Sequence, residues 1–287
     1  MAIDHSEDVG EQVGEQIGEH VEEAARKARP WMDRIARTGY VAKGTVYATV
    51  GILAGQVALG IGGRTTGAGG AVHSIGSQPF GRAMLVLVAA GLLSYALWKL
   101  VQGIMDPDDK GSGVSGIARR IGYGGSAAIH TGLAFSALEE LFGPEGQSTS
   151  LDAWTAHLMS QPDGRWLVAL VGMVVLGIGL YQFYAGVTAR YREDLKTYQM
   201  SEAGRWSMLT GRVGTAARAV VILVAGSFVL LAAYRADPSE TRGLGDTLEA
   251  IIHQPFGPYA LSIIALGLVI YGIFMFVVAR YRHIETT

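Results

Sequence analysis

Gln78-Pro79-Phe80-Gly81 runs directly into RAMLVLVAAGLLSYALWKLVQGIM, residues 82–105, and this junction decides the fold. The run after the glycine has no Asp or Glu and is long enough to cross a hydrocarbon layer, for which roughly 20 apolar residues suffice. A helix on a soluble surface would show a charged face at every turn. This one has Arg82 at one end, Lys99 near the other and nothing charged between them. Proline disfavours helical geometry in the residue before it and suits the first turn of a new helix. The four residues therefore predict a structural corner, with Gln78 capping, that ends one short helix and starts a spanning one. A binding role for the glutamine side chain is the alternative.

The junction recurs. Gln161-Pro162-Asp163-Gly164 and Gln254-Pro255-Phe256-Gly257 each open onto another apolar run, and 20 residues past each glutamine stands an aromatic: Trp98, Tyr181 and Phe274. Upstream of every corner lies a second landmark, Arg-x-Gly: Arg37-Thr38-Gly39, Arg120-Ile121-Gly122 and Arg212-Val213-Gly214. The glycine-to-glutamine separations are 39, 39 and 40 residues, which makes a tandem repeat the organising feature of the chain. Six apolar stretches follow, at residues 40–59, 83–105, 121–142, 166–189, 213–234 and 259–280, two to each copy.

We therefore expect an all-α integral membrane protein with six transmembrane helices. Its expected divisions are an N-terminal arm over 1–30 and three two-helix repeats over 31–110, 111–198 and 199–287. An even number of spans per copy makes the copies parallel, and a closed arrangement of them is a pseudo-threefold ring about the membrane normal. Segments 70–77, 152–160 and 246–253, just ahead of the corners, read as short interfacial helices on the outer side.

Eighteen of the 23 Lys and Arg residues fall before the odd-numbered spans, after the even-numbered ones, or just inside those ends. The other five, Arg64, Arg82, Arg165, Arg235 and Arg242, lie toward the opposite side. By the positive-inside rule both termini are cytoplasmic, and the expected location is a bacterial inner membrane. Composition agrees: 17% charged residues is well below the ~25% of soluble domains. Glycine, 40 of 287 residues, is twice the usual ~7% and suits membrane helices whose backbones approach closely. A net charge of −2 argues against a nucleic-acid footprint. With no cysteine there is no disulfide, thiolate metal site or thiol nucleophile. The polar first thirty residues give no expectation of a cleaved secretory signal.

The threefold Arg-x-Gly and Gln-Pro-x-Gly pattern, over residues 34–283, resembles a bacterial family of six-helix membrane proteins known only as domain of unknown function 1206. The resemblance implies the topology of three two-helix repeats and brings no activity, cofactor or catalytic residue with it. The second copy departs from the pattern, with Asp163 where an aromatic is usual.

Residues at i and i+4 stack on one helix face. From the repeat glycines, the first odd span shows Gly39, Lys43, Tyr47 and Gly51, and the second shows Gly122, Ser126, His130 and Ala134. The third shows Gly214, Arg218, Ile222 and Gly226. Small and polar residues within a span face protein or a water-filled cavity, so the odd helices are expected to line the interior. Lys43, Tyr47, Ser126, His130 and Arg218 are its candidate polar face.

Two readings of the cations stand side by side. In one, Lys43 and Arg218 snorkel to the headgroups, as Lys99 does. In the other they form a cationic ring on the axis that attracts an anionic solute or lipid headgroup, with Ser126 as its weak third member. His130 is the one mid-span ionisable group, either a functional residue or a neutral histidine bonded to a nearby carbonyl.

His73, His157 and His253 precede the corner glutamines by five, four and one residues. Such unequal offsets would not converge under threefold symmetry, so no metal and no cofactor is expected. The arm repeats Val9-Gly-Glu-Gln, Val13-Gly-Glu-Gln and Ile17-Gly-Glu-His, an apolar stripe at helical spacing. A glycine in every turn costs roughly 1 kcal/mol apiece, so the arm reads as acidic and disordered or weakly helical.

The sequence contains no nucleophile elbow, phosphate loop, HExxH or paired intramembrane carboxylates, and no enzyme is expected. The leading expectation is a non-enzymatic structural, assembly or accessory membrane protein. A small-solute or anion transporter or channel, with its site on the pseudo-threefold axis, is the alternative. Membrane lipids, anionic ones included, and a protein partner or a second copy of the chain are the expected partners.

Overall fold

The computed structural model describes residue 31 and residues 34–105, 113–142, 151–189 and 202–281, and the arm over 1–30 lies outside the described residues. Helices succeed one another as α1 (34–58), α2 (Ala68–Gly76), α3 (Gly81–Met105), α4 (Val114–Phe142), α5 (Leu151–Met159), α6 (Gly164–Thr188), α7 (Glu202–Arg235), α8 (Leu244–Ile252) and α9 (Gly257–Tyr281). A 3-10 turn, Pro238–Glu240, stands between α7 and α8. Helices α3, α6 and α9, with the Met208–Arg235 part of α7, are long and apolar enough to cross a membrane. The chain is thus a helical, multi-pass membrane protein. Helices α1 and α4 are long as well, but carry Arg34, Arg37 and Lys43, and Arg119, Arg120, Glu139 and Glu140, so composition alone marks them less strongly.

Each corner is a tight turn that joins a nine-residue helix to a long one. The glycine N–H donates to the glutamine carbonyl, at 2.8 Å for Gly81 and Gln78, 2.9 Å for Gly164 and Gln161, and 2.8 Å for Gly257 and Gln254. With proline second and a positive φ at the third residue, 65° at Phe80, 58° at Asp163 and 61° at Phe256, the turn has type II geometry. Aspartate tolerates the left-handed region better than most side chains, which gives Asp163 a local reason to replace the aromatic.

The glutamine caps, as expected, and it does so at the end of the short helix. Gln78 and Gln254 donate from Nε2 to the carbonyls of Ser74 and Ala250, at 3.4 and 3.3 Å, and so serve the short helix they leave rather than the long one they enter. The fourth residue must be glycine. A Cβ would stand 2.0 Å from the Gly76 carbonyl oxygen at Gly81, 1.9 Å from that of Leu158 at Gly164, and 2.1 Å from that of Ile252 at Gly257.

The arginine of Arg-x-Gly terminates a neighbouring helix. Arg120 donates from Nε to the Gly103 carbonyl at 2.7 Å and from Nη2 to that of Ile104 at 2.8 Å, at the end of α3. Arg212 reaches the Val187 carbonyl near the end of α6 at 3.1 and 2.7 Å. Arg37 has the matching position in α1. At the other end of the bundle Arg165 does the same for α7, at 2.7 Å from the Ala233 carbonyl and 2.9 Å from that of Tyr234.

The glycine of the motif brings two helices of one repeat together. A Cβ on Gly39 would lie 2.6 Å from the Tyr95 backbone in α3, and one on Gly214 would lie 2.5 Å from the Tyr271 backbone in α9. This contact is why the interior is not lined by α1, α4 and α7 alone. Half of the apolar windows of α3 and α9 is buried, against 17% for α6. Helix α9 then closes on α1, where a Cβ on Gly272 would meet the Gly44 carbonyl oxygen at 2.7 Å.

The core has two halves. Toward α2 and α8 it is aliphatic, with Val50, Ala54, Leu85, Leu92, Leu261 and Leu268; toward the other end it is aromatic, with Tyr40, Tyr95, Trp98, Tyr271 and Phe274.

Thermal unfolding in detergent tests these joints. Gly257→Ala should destabilise by ~1–3 kcal/mol through overpacking. Asp163→Gly should stabilise by up to about 1 kcal/mol by removing a left-handed non-glycine residue. Arg212→Met should cost ~2 kcal/mol, the scale of hydrogen bonds to a charged group, and an unchanged midpoint would remove its role as a helix terminator.

Candidate functional site

Tyr95 stands at the centre of the aromatic half of the core, fixed by its backbone contact with Gly39. Its hydroxyl accepts a hydrogen bond from Lys43 Nζ at 2.8 Å, and the Ser126 hydroxyl reaches it too. Its ring meets Tyr40 edge-on at 5.3 Å between centroids and lies 4.4 Å from the His130 ring. Lys43 Nζ is 4.5 Å from the same ring centre and Lys99 Nζ 5.4 Å. Lys99 also lies 4.5 Å from the Tyr123 ring and donates to Gln102 Oε1 at 2.7 Å.

Tyr271 forms a second hub at the matching place in α9. Its ring packs edge-on against Tyr47 at 5.0 Å, with Arg218 Cζ 5.3 Å and Lys43 Nζ 5.9 Å from its centre. Arg218 donates from Nε to the Tyr47 hydroxyl at 2.8 Å and from Nη1 to Gln182 Oε1 of α6. Each cation thus sits against ring faces, where the aromatic quadrupole attracts positive charge by about 0.5–2 kcal/mol.

The structure brings all five candidate residues, Lys43, Tyr47, Ser126, His130 and Arg218, into this one cluster. The ammonium groups of Lys43 and Lys99 are held among the rings, and the two residues are only 6% and 8% exposed, a placement unlike snorkelling. His130 donates from Nδ1 to the Ser126 carbonyl at 2.7 Å, which fixes that nitrogen as the protonated one. Of the histidines near the corners, His73 pairs with Glu140 at 3.0 Å and ties α2 to α4.

Sequence reasoning missed Tyr95, Tyr271 and Gln182, and read Lys99 only as an interfacial residue. A signal was present. Tyr95 and Tyr271 both stand 17 residues past their corner glutamines, Gln78 and Gln254. Lys99 and Gln182 both stand 21 past theirs, Gln78 and Gln161. Chemically, the cluster offers three cations with hydroxyl and amide donors around them, an arrangement that suits an anion.

Comparison with known proteins agrees with the repeat architecture. The chain is 35% identical over 263 residues to the uncharacterized protein YxxB of Bacillus subtilis (strain 168), covering 90% of this chain and 94% of that one. No solved structure matches it. Three matches to one family profile, over residues 38–106, 121–189 and 213–282, begin beside each Arg-x-Gly and end beyond each paired long helix. The chain belongs to the family described as Domain of Unknown Function (DUF1206).

Proposed function

We propose that this protein is a six-span, non-enzymatic accessory protein of a bacterial inner membrane that holds an anionic ligand near the cytoplasmic leaflet. One observation carries the reading: Lys43 shares Tyr95 with Lys99 and Tyr271 with Arg218, while residues 34–105, 203–235 and 257–281 contain no Asp or Glu. Cations sharing a ring in this way lie within about 11 Å of one another, where like charges repel by roughly 1.5 kcal/mol or more at the effective dielectric of a protein. A bound anion relieves that repulsion.

Binding is favoured over transport by the opposite half of the core. Val50, Ala54, Leu85, Leu92, Val221, Leu261 and Leu268 are each at most 2% exposed, so close packing stands where a through-going path would run. The six-span count takes α1 and α4 as the remaining spans, since their acidic and most of their basic residues lie near their ends. The paired Gly39–Tyr95 and Gly214–Tyr271 contacts support parallel repeats about a common axis. With 18 of the 23 cations on the terminal side, that side is cytoplasmic.

Two experiments test this. The chain has no cysteine, so single cysteines report topology cleanly. In intact cells an impermeant maleimide should label Thr65→Cys and Ser160→Cys and spare Ser6→Cys and Ser112→Cys. Labelling of either of the latter pair would remove α1 or α4 from the spans. For the site, inorganic phosphate should raise the unfolding midpoint of the purified protein by mass action. Lys99→Met with Arg218→Met should lose that rise, and phosphate-loaded vesicles containing wild type should show no flux. Protein-dependent flux would instead favour the transporter.

A further inference from the structure

The third residue of each corner stands where two local demands meet. It has a positive φ, and its carbonyl accepts a first-turn hydrogen bond of the long helix. The donors are the N–H groups of Met84 to Phe80 at 3.1 Å, Leu167 to Asp163 at 3.3 Å and Ala260 to Phe256 at 3.1 Å. The residue is thus a helix N-cap held in the left-handed region. Glycine, asparagine and aspartate suit both demands, and a bulky apolar side chain suits neither. Asp163 conforms. Phe80 and Phe256 break both preferences.

Packing within the chain does not offset that cost, since Phe80 is 86% exposed and Phe256 80%. A local rule broken in two copies of one turn points to a contact outside the chain.

The place of the corners identifies that contact. Each corner glycine opens a 25-residue helix. Such a helix is ~37 Å long, a few ångströms more at each end than the ~30 Å hydrocarbon layer. The corners therefore lie at the level of the headgroups and glycerol backbones. Other exposed rings share this level. Trp166 and Tyr259 stand five residues past their corner glutamines, and Tyr234 has its carbonyl held by Arg165 of the second corner. Copy two lacks a ring at the third position and has Trp166; copy one has Ala83 in the place of Trp166 and has Phe80. Every corner thus carries an exposed ring.

The corners open three different helices, packed chiefly on others: α3 on α4, α6 on α7 and α9 on α7. The bilayer interface is the one surrounding common to all three, and aromatic side chains concentrate there.

We propose that the three corners anchor the bundle in the interfacial layer of the leaflet at their end. Phe80, Trp166 and Phe256, with Tyr234 and Tyr259, lie among the headgroups and glycerol backbones. That contact holds two phenylalanines in a backbone position that disfavours them. The anchor responds to the polarity gradient of the bilayer rather than to headgroup charge, so it stands apart from the anion cluster.

Two measurements on the full-length protein test this. The chain has no cysteine, so Phe80→Cys and Phe256→Cys each take a single nitroxide label. In phosphatidylcholine vesicles, the relative access of oxygen and of a water-soluble nickel chelate reports depth. Both labels should fall between Arg64→Cys, in the exposed loop after α1, and Leu87→Cys, exposed about two turns into α3. Access like that of position 64 would place the corners in water and overturn the anchor. Shielding from both reagents would overturn it in favour of a protein partner or a second copy of the chain.

The rings themselves are tested by Phe80→Asn with Phe256→Asn, which restores both local preferences. In phospholipid nanodiscs this change should lower the unfolding midpoint by roughly 2–4 °C, and in a lipid-free amphipathic polymer it should raise it by a similar amount. Phe80→Trp with Phe256→Trp keeps the rings and should hold the nanodisc midpoint at the wild-type value. A rise in both media would mean that the membrane gives the phenylalanines nothing, and a fall in both would assign their contacts to the protein; either result refutes the proposal.

Discussion

The last carbonyl groups of a helix have no partner within it, and each one left unsatisfied away from water costs several kcal/mol. Arg120, Arg212 and Arg165 meet that constraint at the ends of α3, α6 and α7. In every case the cap comes from a different helix, so satisfying the backbone also joins two helices. Arg120 and Arg212 pin α4 to α3 and α7 to α6, across repeat boundaries. The cation at a helix carboxyl end is further favoured by the helix dipole. At the other end of the bundle, the corner glycines press the short helices onto the starts of the long ones. These joints set which helices are neighbours before any side chain in the core is chosen.

On that frame the repeats diverge where packing allows it. The register 17 residues past the corner holds Tyr95, Ile178 and Tyr271. Where it is tyrosine, its backbone lies against the motif glycine of its own repeat and its ring joins the cluster. Where it is isoleucine, the corresponding glycine, Gly122, meets nothing. The register four residues later holds Lys99, Gln182 and Met275, so a cation, a neutral amide and an apolar side chain occupy equivalent positions. One asymmetric site thus arises from three similar units through single-copy substitutions on a shared backbone plan.

These same features explain what was legible in the sequence. The corners were readable because proline, a left-handed third residue and an obligatory glycine are local steric demands. The five polar candidates on odd helices were readable because helical spacing places Lys43 with Tyr47 and Ser126 with His130. The cap made by Arg120 was not readable, because the carbonyls it serves belong to Gly103 and Ile104 and backbone groups carry no sequence signature. Tyr95 was missed for a related reason: its inward position depends on Gly39, more than fifty residues earlier, allowing α3 to approach α1. The charges near the ends of α1 and α4 likewise separate them from the four plainly apolar helices, although all six are built on one plan.

The division of the core into an aliphatic and an aromatic half bears on why cations are held here at all. Removing an ammonium or guanidinium from water costs several kcal/mol even after relaxation. Contacts with ring faces return about 0.5–2 kcal/mol each, and bonds to the Tyr95 and Tyr47 hydroxyls return a similar amount. Three such residues in one cluster add mutual repulsion to that cost. Gln182 and His130 stand at the edges of the cluster, beside the repeat in which Gly122 meets no neighbour. A tightly packed aliphatic half gives the site a floor that does not yield. On the anion-holding reading proposed above, such a floor favours retention of a ligand over its passage.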